Sequence, residues 1–450
     1  MRTLLLVLFC ISTQLIEAQF PTELSTQLQD ILENRIEISG DHGVSACVIL
    51  PDGNLWHGQA GVDKMGNPVS ESTVFHGASS TKSHVATCMM LLAEDGLVDL
   101  DASWTDYVTL SANFNPNITV RHLISHTSGI KDFLETGAAA TLILNDENYF
   151  WPPTELLEDV VNDTPNFAPG EDFEYSNSNY VLAGMIIEAV SGNGLFEEIR
   201  TRIWEPLGLE HTYGGGYDDF SEASAGIWWN FGGGVNPYNT IDYTSILSFA
   251  YGAGNLVTTA EDNAHFIRAL LTGEIVEASS LAQMLDFTPE SYSSWTAGYG
   301  MGVHHAIGTG DSEVLGHDGY YTNMSSTFHD PEANCTIVTM TNTQTEWYGI
   351  FAEISEAVKS YVSTDMIDLP TASELSFYPQ PASDELFVEL GRADIRTVSA
   401  FDIQGKQHHC DIVFSDPGLR IQLPESWSGL YTLVLTYGDG HTDRITFIVR

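Results

Sequence analysis

Two apolar periods alternate along this chain and mark out its elements. A polar-faced helix is predicted from Glu23 to Arg35. Val44-Ser-Ala-Cys-Val-Ile-Leu50 and the run Leu55 to Val62 are rich in β-formers, and the turn Pro51-Asp-Gly-Asn54 between them predicts a hairpin. After Lys82 the period becomes helical, with Val85, Met89 and Leu92 at i, i+4 and i+7, Ala86, Cys88 and Leu91 widening the stripe, and Gly96 closing it. Helical spacing dominates the middle of the chain: Glu155 to Val161, Tyr180 to Val190 stopped by Gly192, and Leu195 to Ile203 stopped before Pro206. Strand character returns at Glu313 to Gly319, Ser325 to His329 and Cys335 to Asn342, and a helix is predicted over Ile350 to Val362. Strands at both ends with helices between predict an α/β (α+β) fold, a mixed antiparallel sheet flanked by helices with an inserted helical lobe. A cleft between the two parts is the natural place for a site.

Beyond this region the texture changes. Residues 364–374 lack a pattern and contain Pro370, and residues 375–450 are brief strands separated by turns, which predicts a small β-sandwich. At the other end, Met1-Arg2, the apolar run Leu4 to Ile11 and the exit near Glu17-Ala18 have the form of a secretory leader over residues 1–18. That run is too short to anchor the chain in a bilayer, and no later stretch reaches the length of a membrane helix. The expected organisation is a leader (1–18), a main domain (19–363), a linker (364–374) and a C-terminal domain (375–450), in an exported protein without stable membrane insertion.

Charge narrows the partners. The chain carries 16 basic against 61 acidic side chains, a net of -45, which disfavours nucleic acid and anionic lipid alike. The acids are dispersed without calcium-loop spacing and read as a solvated exterior. Apart from Cys10, the cysteines at 47, 88, 335 and 410 form no C-x-x-C pair, so neither a zinc site nor a disulfide scaffold is expected. In an exported protein, Cys47 and Cys335 remain a candidate pair.

The candidate chemistry begins at Ser79-x-x-Lys82, where three residues place a hydroxyl and an amine on one helical face. A serine becomes nucleophilic when a neighbour takes its proton, and a lysine does this near neutrality only with a lowered pKa. Burial against the apolar stripe and the positive end of the helix both push that way. A second copy, Ser128-Gly-Ile-Lys131, is followed by no such period. Tyr175-Ser-Asn177 precedes the Tyr180 helix, and His317-Asp-Gly319 lies on a returning strand. A tyrosine can relay a proton, an asparagine amide can hold a carbonyl, and a histidine can supply positive potential. Taken singly, these residues read as a buried aromatic, a turn asparagine and a surface histidine.

Together and in this order the motifs resemble those of the serine β-lactamase and penicillin-binding-protein superfamily. The Tyr-x-Asn with His-x-Gly combination is similar to the branch of class C β-lactamases, D-alanyl-D-alanine carboxypeptidases, D-aminopeptidases and esterases. Further matches are Leu97-Val-Asp-Leu-Asp101, Leu123-Ile-Ser-His-Thr-Ser-Gly129, Pro169-Gly-Glu171, Glu205-Pro-Leu-Gly-Leu209 and Gly254-Asn-Leu-Val-Thr-Thr-Ala-Glu-Asp262, so the resemblance runs over roughly residues 24–362. It places Ser128 in a structural segment. It implies that Ser79 is the acylated nucleophile, that Lys82 and Tyr175 share the proton work, and that Asn177 contacts Lys82 and the substrate carbonyl. His317 and Gly319 stand in the third motif, and the N–H groups of Ser79 and Tyr320 would form an oxyanion hole. Tyr320 and Tyr321 occupy a position where family members often have a second glycine, which predicts a narrowed acyl pocket. The C-terminal part resembles a type A sorting domain of the type IX secretion system through Tyr378-Pro-Gln-Pro-Ala-Ser-Asp384, Asp402-Ile-Gln-Gly-Lys406 and Gly429-Leu-Tyr431. That implies Bacteroidetes-type export, with the secretion machinery as partner and the cell surface or medium as destination.

The expectation is an exported serine hydrolase acting through a Ser79 acyl-enzyme on ester or amide bonds, with no metal or cofactor. Between Arg268 and Lys359 the chain has neither lysine nor arginine, which favours small neutral substrates over those with a carboxylate. Two alternatives stand beside it: a β-lactamase, D-alanyl-D-alanine carboxypeptidase or D-aminopeptidase, and an inactive binding protein.

Overall fold

The computed structural model describes residues 20–39, 42–110, 113–136, 148–158, 160–226, 244–288, 291, 297–307, 313–320, 324–343, 349–365 and, further on, the strands and a few adjoining residues of 377–449. The expected leader, Tyr321, Cys410 and nearly all of the 364–374 linker lie outside them. The chain divides into two compact units, Met1–Val358 and Lys359–Arg450.

The first unit is built on a seven-stranded antiparallel sheet in the order β2-β1-β10-β9-β8-β7-β6. These strands are β1 (Gly43–Ile49), β2 (Leu55–Gly61), β6 (Gly298–Tyr299), β7 (His304–Ile307), β8 (Glu313–Tyr320), β9 (Met324–Asp330) and β10 (Cys335–Thr341). The hairpin predicted at the Asp52-Gly53 turn is β1-β2, and the Asp52 carboxylate accepts from the Asn54 N–H at 3.0 Å to close it. Strands β1, β9 and β10 are buried on both faces: α4 (Ala260–Leu271) covers one face of all three, while on the other α1 (Thr22–Ser39) packs on β1 and β2 and Phe351 of the helix Gly349–Asp365 packs on Phe328 of β9. Leu32 of α1 lies over Gly58 while Glu261 of α4 meets His57, so adjacent β2 residues face opposite layers. Alternation also rules out the disulfide. Cys47 pairs in register with Val338, three positions from Cys335, so the two thiols point to opposite faces; both are free and buried.

The first unit also contains a small second sheet: β3 (Phe75–Ala78), β5 (Leu256–Thr258) and β4 (Tyr213–Gly214), in the order β3-β5-β4. It feeds α2 (Thr81–Glu94), which packs on α3 (Asn177–Ser191) and against β8. Between Leu100 and Phe249 lie the predicted helices of the lobe, two of them altered. The helix expected over Glu155–Val161 is a single α turn, Pro153–Leu156, followed by tight i→i−3 turns such as Val160 N–H to Leu157 O. The helix expected to stop before Pro206 runs on through a π turn, Arg200–Trp204, and ends at Gly208 with φ 69°. Pro206 has no N–H for the Arg202 carbonyl, and a locally widened turn accommodates that loss. α5 (Gly349–Asp365) follows β10 in the chain, and the division between the two units falls within it.

The second unit contains two four-stranded antiparallel sheets, β11-β12-β16-β15 and β14-β13-β17-β18. In order these are Phe377–Tyr378, Glu385–Glu389, Ile395–Asp402, Gln407–His408, Asp411–Ser415, Gly418–Gln422, Gly429–Tyr437 and Thr442–Val449. Alternate residues are fully buried (Leu386 and Val388, Leu419 and Ile421, Leu433 and Leu435), as two faces of a small sandwich require.

Candidate active site

Ser79 stands in the tight turn between β3 and α2. Ala78 ahead of it has φ 47°, a left-handed conformation that L-residues adopt at a cost of about 1–2 kcal/mol. The turn is held by Thr81 Oγ1 donating to Ala78 O at 2.6 Å and by Ser80 Oγ donating to Gly77 O at 2.8 Å. From across the cleft, Ser325 Oγ of β9 donates to the same Gly77 carbonyl at 2.8 Å. Beside it, a Cβ on Gly319 would fall 2.1 Å from Gly77 O and 2.3 Å from Ser325 Oγ, so only glycine lets β8 run this close to the serine turn. Helix α2 begins at Thr81, two residues later than a helical serine would require. The Lys82 N–H still bonds Ser79 O at 3.0 Å, and this keeps both side chains on one side.

Lys82 Nζ is fully buried and donates to three acceptors: Ser79 Oγ at 3.0 Å, Asn177 Oδ1 at 2.8 Å and Ala253 O at 2.6 Å. Burial lowers its pKa from 10.5 to about 7, partly opposed by the Asp132 carboxylate. This geometry decides where the neutral amine points its lone pair. A carbonyl can only accept, and Asn177 is locked with Oδ1 toward Lys82 because its Nδ2 donates to Asp132 Oδ2 at 2.7 Å. The two hydrogens of a neutral amine therefore remain on Ala253 and Asn177, and the lone pair faces the Ser79 hydroxyl.

Tyr175 lies 4.9 Å from Lys82 Nζ by ring centroid, on the same side of the site as Ser79. Burial raises its phenol well above the usual value, against a smaller opposing influence of Ser79, so it is a proton-bearing group at neutral pH. Ser176 is the N-cap residue of α3 in an extended conformation, and this turn sends Tyr175 and Asn177 into the cleft together.

His317 departs from expectation. Its ring is 1% exposed, Nδ1 lies 2.6 Å from the Asp318 carbonyl and Nε2 lies 3.2 Å from the Tyr299 hydroxyl. Burial, with His304 and Lys82 nearby, holds its pKa well below 6.5, so it supplies no positive charge at neutral pH. The Asp318 carboxylate cannot reverse this, because alternation turns it to the other face, where it accepts from Ser326 Oγ at 3.1 Å. Tyr320 ends β8 with its side chain 53% exposed.

The second Ser-x-x-Lys copy serves packing. Ser128 Oγ donates to Asn179 Oδ1 at 2.5 Å and accepts from the Ile130 N–H at 3.0 Å, while Lys131 is paired with Asp163 at 3.8 Å. Arg121 is likewise engaged away from the site, with Asp101 at 2.7 Å. Sequence reasoning missed Asp132, Ala253, His126, Tyr299 and His304. Asp132 follows the discounted Lys131, and Tyr299 sits in Gly298-Tyr-Gly-Met-Gly302, where alternating glycines around an aromatic are a signal of close backbone approach. A backbone carbonyl such as Ala253 O leaves no sequence signal.

The Beta-lactamase family model matches residues 28–357. Among solved structures, the chain is similar to D-amino acid amidase from Ochrobactrum anthropi SV3, complexed with L-phenylalanine amide, at 30% identity and a TM-score of 0.65, covering 76% of this chain and 99% of that one. It is also similar to a D-stereospecific amidohydrolase from Streptomyces sp., at 27% identity and a TM-score of 0.63, covering 75% and 97%. PbpX of Bacillus subtilis (strain 168), named as a penicillin-binding protein, is 31% identical over 240 residues; the match takes in 53% of this chain and spans about half (55%) of that relative's length. The match over most of the main unit and the geometry around Ser79 agree: the chain belongs to the Beta-lactamase family and is a serine hydrolase of the β-lactamase-like superfamily.

Proposed function

We propose that this protein hydrolyses small amides and esters lacking a carboxylate beside the scissile bond, through an acyl-enzyme on Ser79. The observation that carries the substrate class is that Lys82 is the only formally cationic side chain among the described residues around Ser79; His317 is neutral, and Lys131 and Arg121 are paired elsewhere. In this reading neutral Lys82 takes the Ser79 proton as Oγ bonds to the substrate carbonyl carbon. The resulting oxyanion is met by the N–H groups of Ser79 and Tyr320, which the approach of Gly319 to Gly77 supports. Tyr175 passes its proton to the departing amine or alcohol and is reprotonated from Lys82. Water then attacks the acyl-enzyme, its proton passing to the same pair, and Ser79 leaves with a proton restored. Asn177 holds Lys82 in place and offers its amide edge to the substrate. The amidase relatives favour amide bonds as members of the substrate class.

The test compares kcat/KM for a D-amino-acid amide and a p-nitrophenyl ester with that for a cephalosporin and a D-alanyl-D-alanine peptide, at low and moderate salt. Faster turnover of either carboxylate-bearing substrate overturns this reading in favour of a β-lactamase or peptidase. Export rests on the leader-like residues 1–18 and the sorting-domain resemblance of residues 375–450. Deleting 364–450 in the native host should leave the enzyme in the periplasm and catalytically competent; undiminished release of the truncated protein from the cell would remove the export role.

A further inference from the structure

The hydrogens around His317 can be assigned from the acceptors at the two ends of its network. The Asp318 carbonyl can only accept, so His317 Nδ1, 2.6 Å away, carries the hydrogen. A neutral imidazole then has a bare Nε2, and the Tyr299 hydroxyl at 3.2 Å must donate to it. Tyr299 is free to do so. Its neighbour Tyr180, with the hydroxyl oxygens 3.5 Å apart, spends its own hydrogen on the Ile124 carbonyl at 2.8 Å. Both tyrosines and His317 are buried to within 1% of full enclosure.

We propose that Tyr299 is a specificity-determining positioning residue: its hydroxyl locks His317 as a ring with both nitrogens consumed, which closes the His-x-Gly position to substrate carboxylates. This deepens the reading above and rests on it for the substrate class. The groups facing His317 favour the same outcome. Lys82 comes from α2, His126 from the loop after the short helix Val120–Ile124, Tyr175 from the turn before α3, Tyr299 from β6 and His304 from β7, its ring 4.2 Å from that of His317. The charged Lys82 disfavours a second cation here, and a hydrogen bond donated to Nε2 stabilises the neutral ring further.

The experiment uses the full chain with 15N-labelled histidine, the His317 resonances being identified by difference from His317→Asn. The wild-type ring should show the Nδ1–H tautomer and no titration from pH 8 to pH 5.5. In Tyr299→Phe the same ring should keep the Nδ1 hydrogen, show the Nε2 shift of a nitrogen that has lost its donor, and take up a proton at a higher pH than the wild type. A wild-type Nε2–H tautomer, or a wild-type ring that titrates near pH 6.5, overturns the lock, and this arm does not depend on the variant folding. The second arm measures kcat/KM at pH 6 for p-nitrophenyl butyrate and for the anionic mono-p-nitrophenyl glutarate. The ratio of anionic to neutral turnover should rise about tenfold in Tyr299→Phe, the effect of one charge-assisted hydrogen bond. An unchanged ratio removes the specificity role. Failure of the wild-type chain on both esters overturns the substrate reading and the specificity role with it, whereas the tautomer by itself decides the lock.

Discussion

Replacing Lys82 by methionine should change how the stability of the main unit depends on pH, by an amount the structure sets. Burial takes the amine from its ordinary 10.5 to about 7, a shift of about 3.5 units or about 5 kcal/mol. The folded pKa of this base is lowered, so between about pH 7 and 10.5 the unfolded chain binds a proton that the folded chain does not. Wild-type stability from this group therefore rises with pH across that window, by up to about 1.4 kcal/mol per unit. Integrated from pH 7 to pH 9, the wild type should gain about 2 kcal/mol relative to Lys82→Met. The variant also leaves Asn177 Oδ1 and Ala253 O without their donor, at a cost independent of pH. The slope is therefore the readout and the absolute level is not. Urea unfolding of both proteins at pH 6, 7, 8 and 9 measures it. The same pKa must appear in catalysis as an acid limb of kcat/KM with a midpoint near 7, because only the neutral amine can take the Ser79 proton. Parallel stability curves for the two proteins, or an acid limb near pH 4 to 5, would refute a buried, proton-shedding Lys82.

Other expectations follow from single contacts. A fluorophosphonate should label the wild type and Ser128→Ala but not Ser79→Ala, while Ser128→Ala loses about 1–2 kcal/mol of stability through its bonds to Asn179 and Ile130. Persistent labelling of Ser79→Ala would put the nucleophile elsewhere. Gly319→Ala should lower acylation at least 100-fold and destabilise by about 1–3 kcal/mol, because its methyl group would sit 2.1 Å from Gly77 O; near-normal pre-steady-state acylation would show that β8 is free to shift. Asp132→Asn should move the acid limb to lower pH, since the Asp132 charge raises the Lys82 pKa, and should cut kcat about tenfold as Asn177 loses its orienting partner. A limb that moves upward contradicts that electrostatic assignment. Thiol titration should find Cys47, Cys88 and Cys335 reactive only after unfolding, with no reductant needed.

Local pattern settled a good deal. The β1-β2 hairpin, α2, α3 and the three returning strands stand within a few residues of where alternation and helical spacing put them, because each is long and strongly periodic. The short pieces were not legible. β3 and β5 are four and three residues long, β6 only two, and each exists because a partner strand completes its hydrogen bonds rather than because its own sequence favours extension. The Pro153–Leu156 turn and the π turn before Pro206 likewise answer to packing and to a missing donor. Ser79 with Lys82 could be read from three residues of spacing, since a helical turn alone brings them together. What the lysine and histidine do could not. Tertiary structure decided the Lys82 pKa, since burial comes from the whole fold, and its lone-pair direction, since Ala253 O and Asp132 arrive from 171 and 50 positions away in the chain. It also decided that His317 is neutral, through burial beside His304 and Lys82 and through a strand alternation that sends the Asp318 carboxylate to the far face. Sequence spacing specifies which groups meet along one element; electrostatic environment and hydrogen-bond direction depend on what other elements bring, and only the folded chain contains that information.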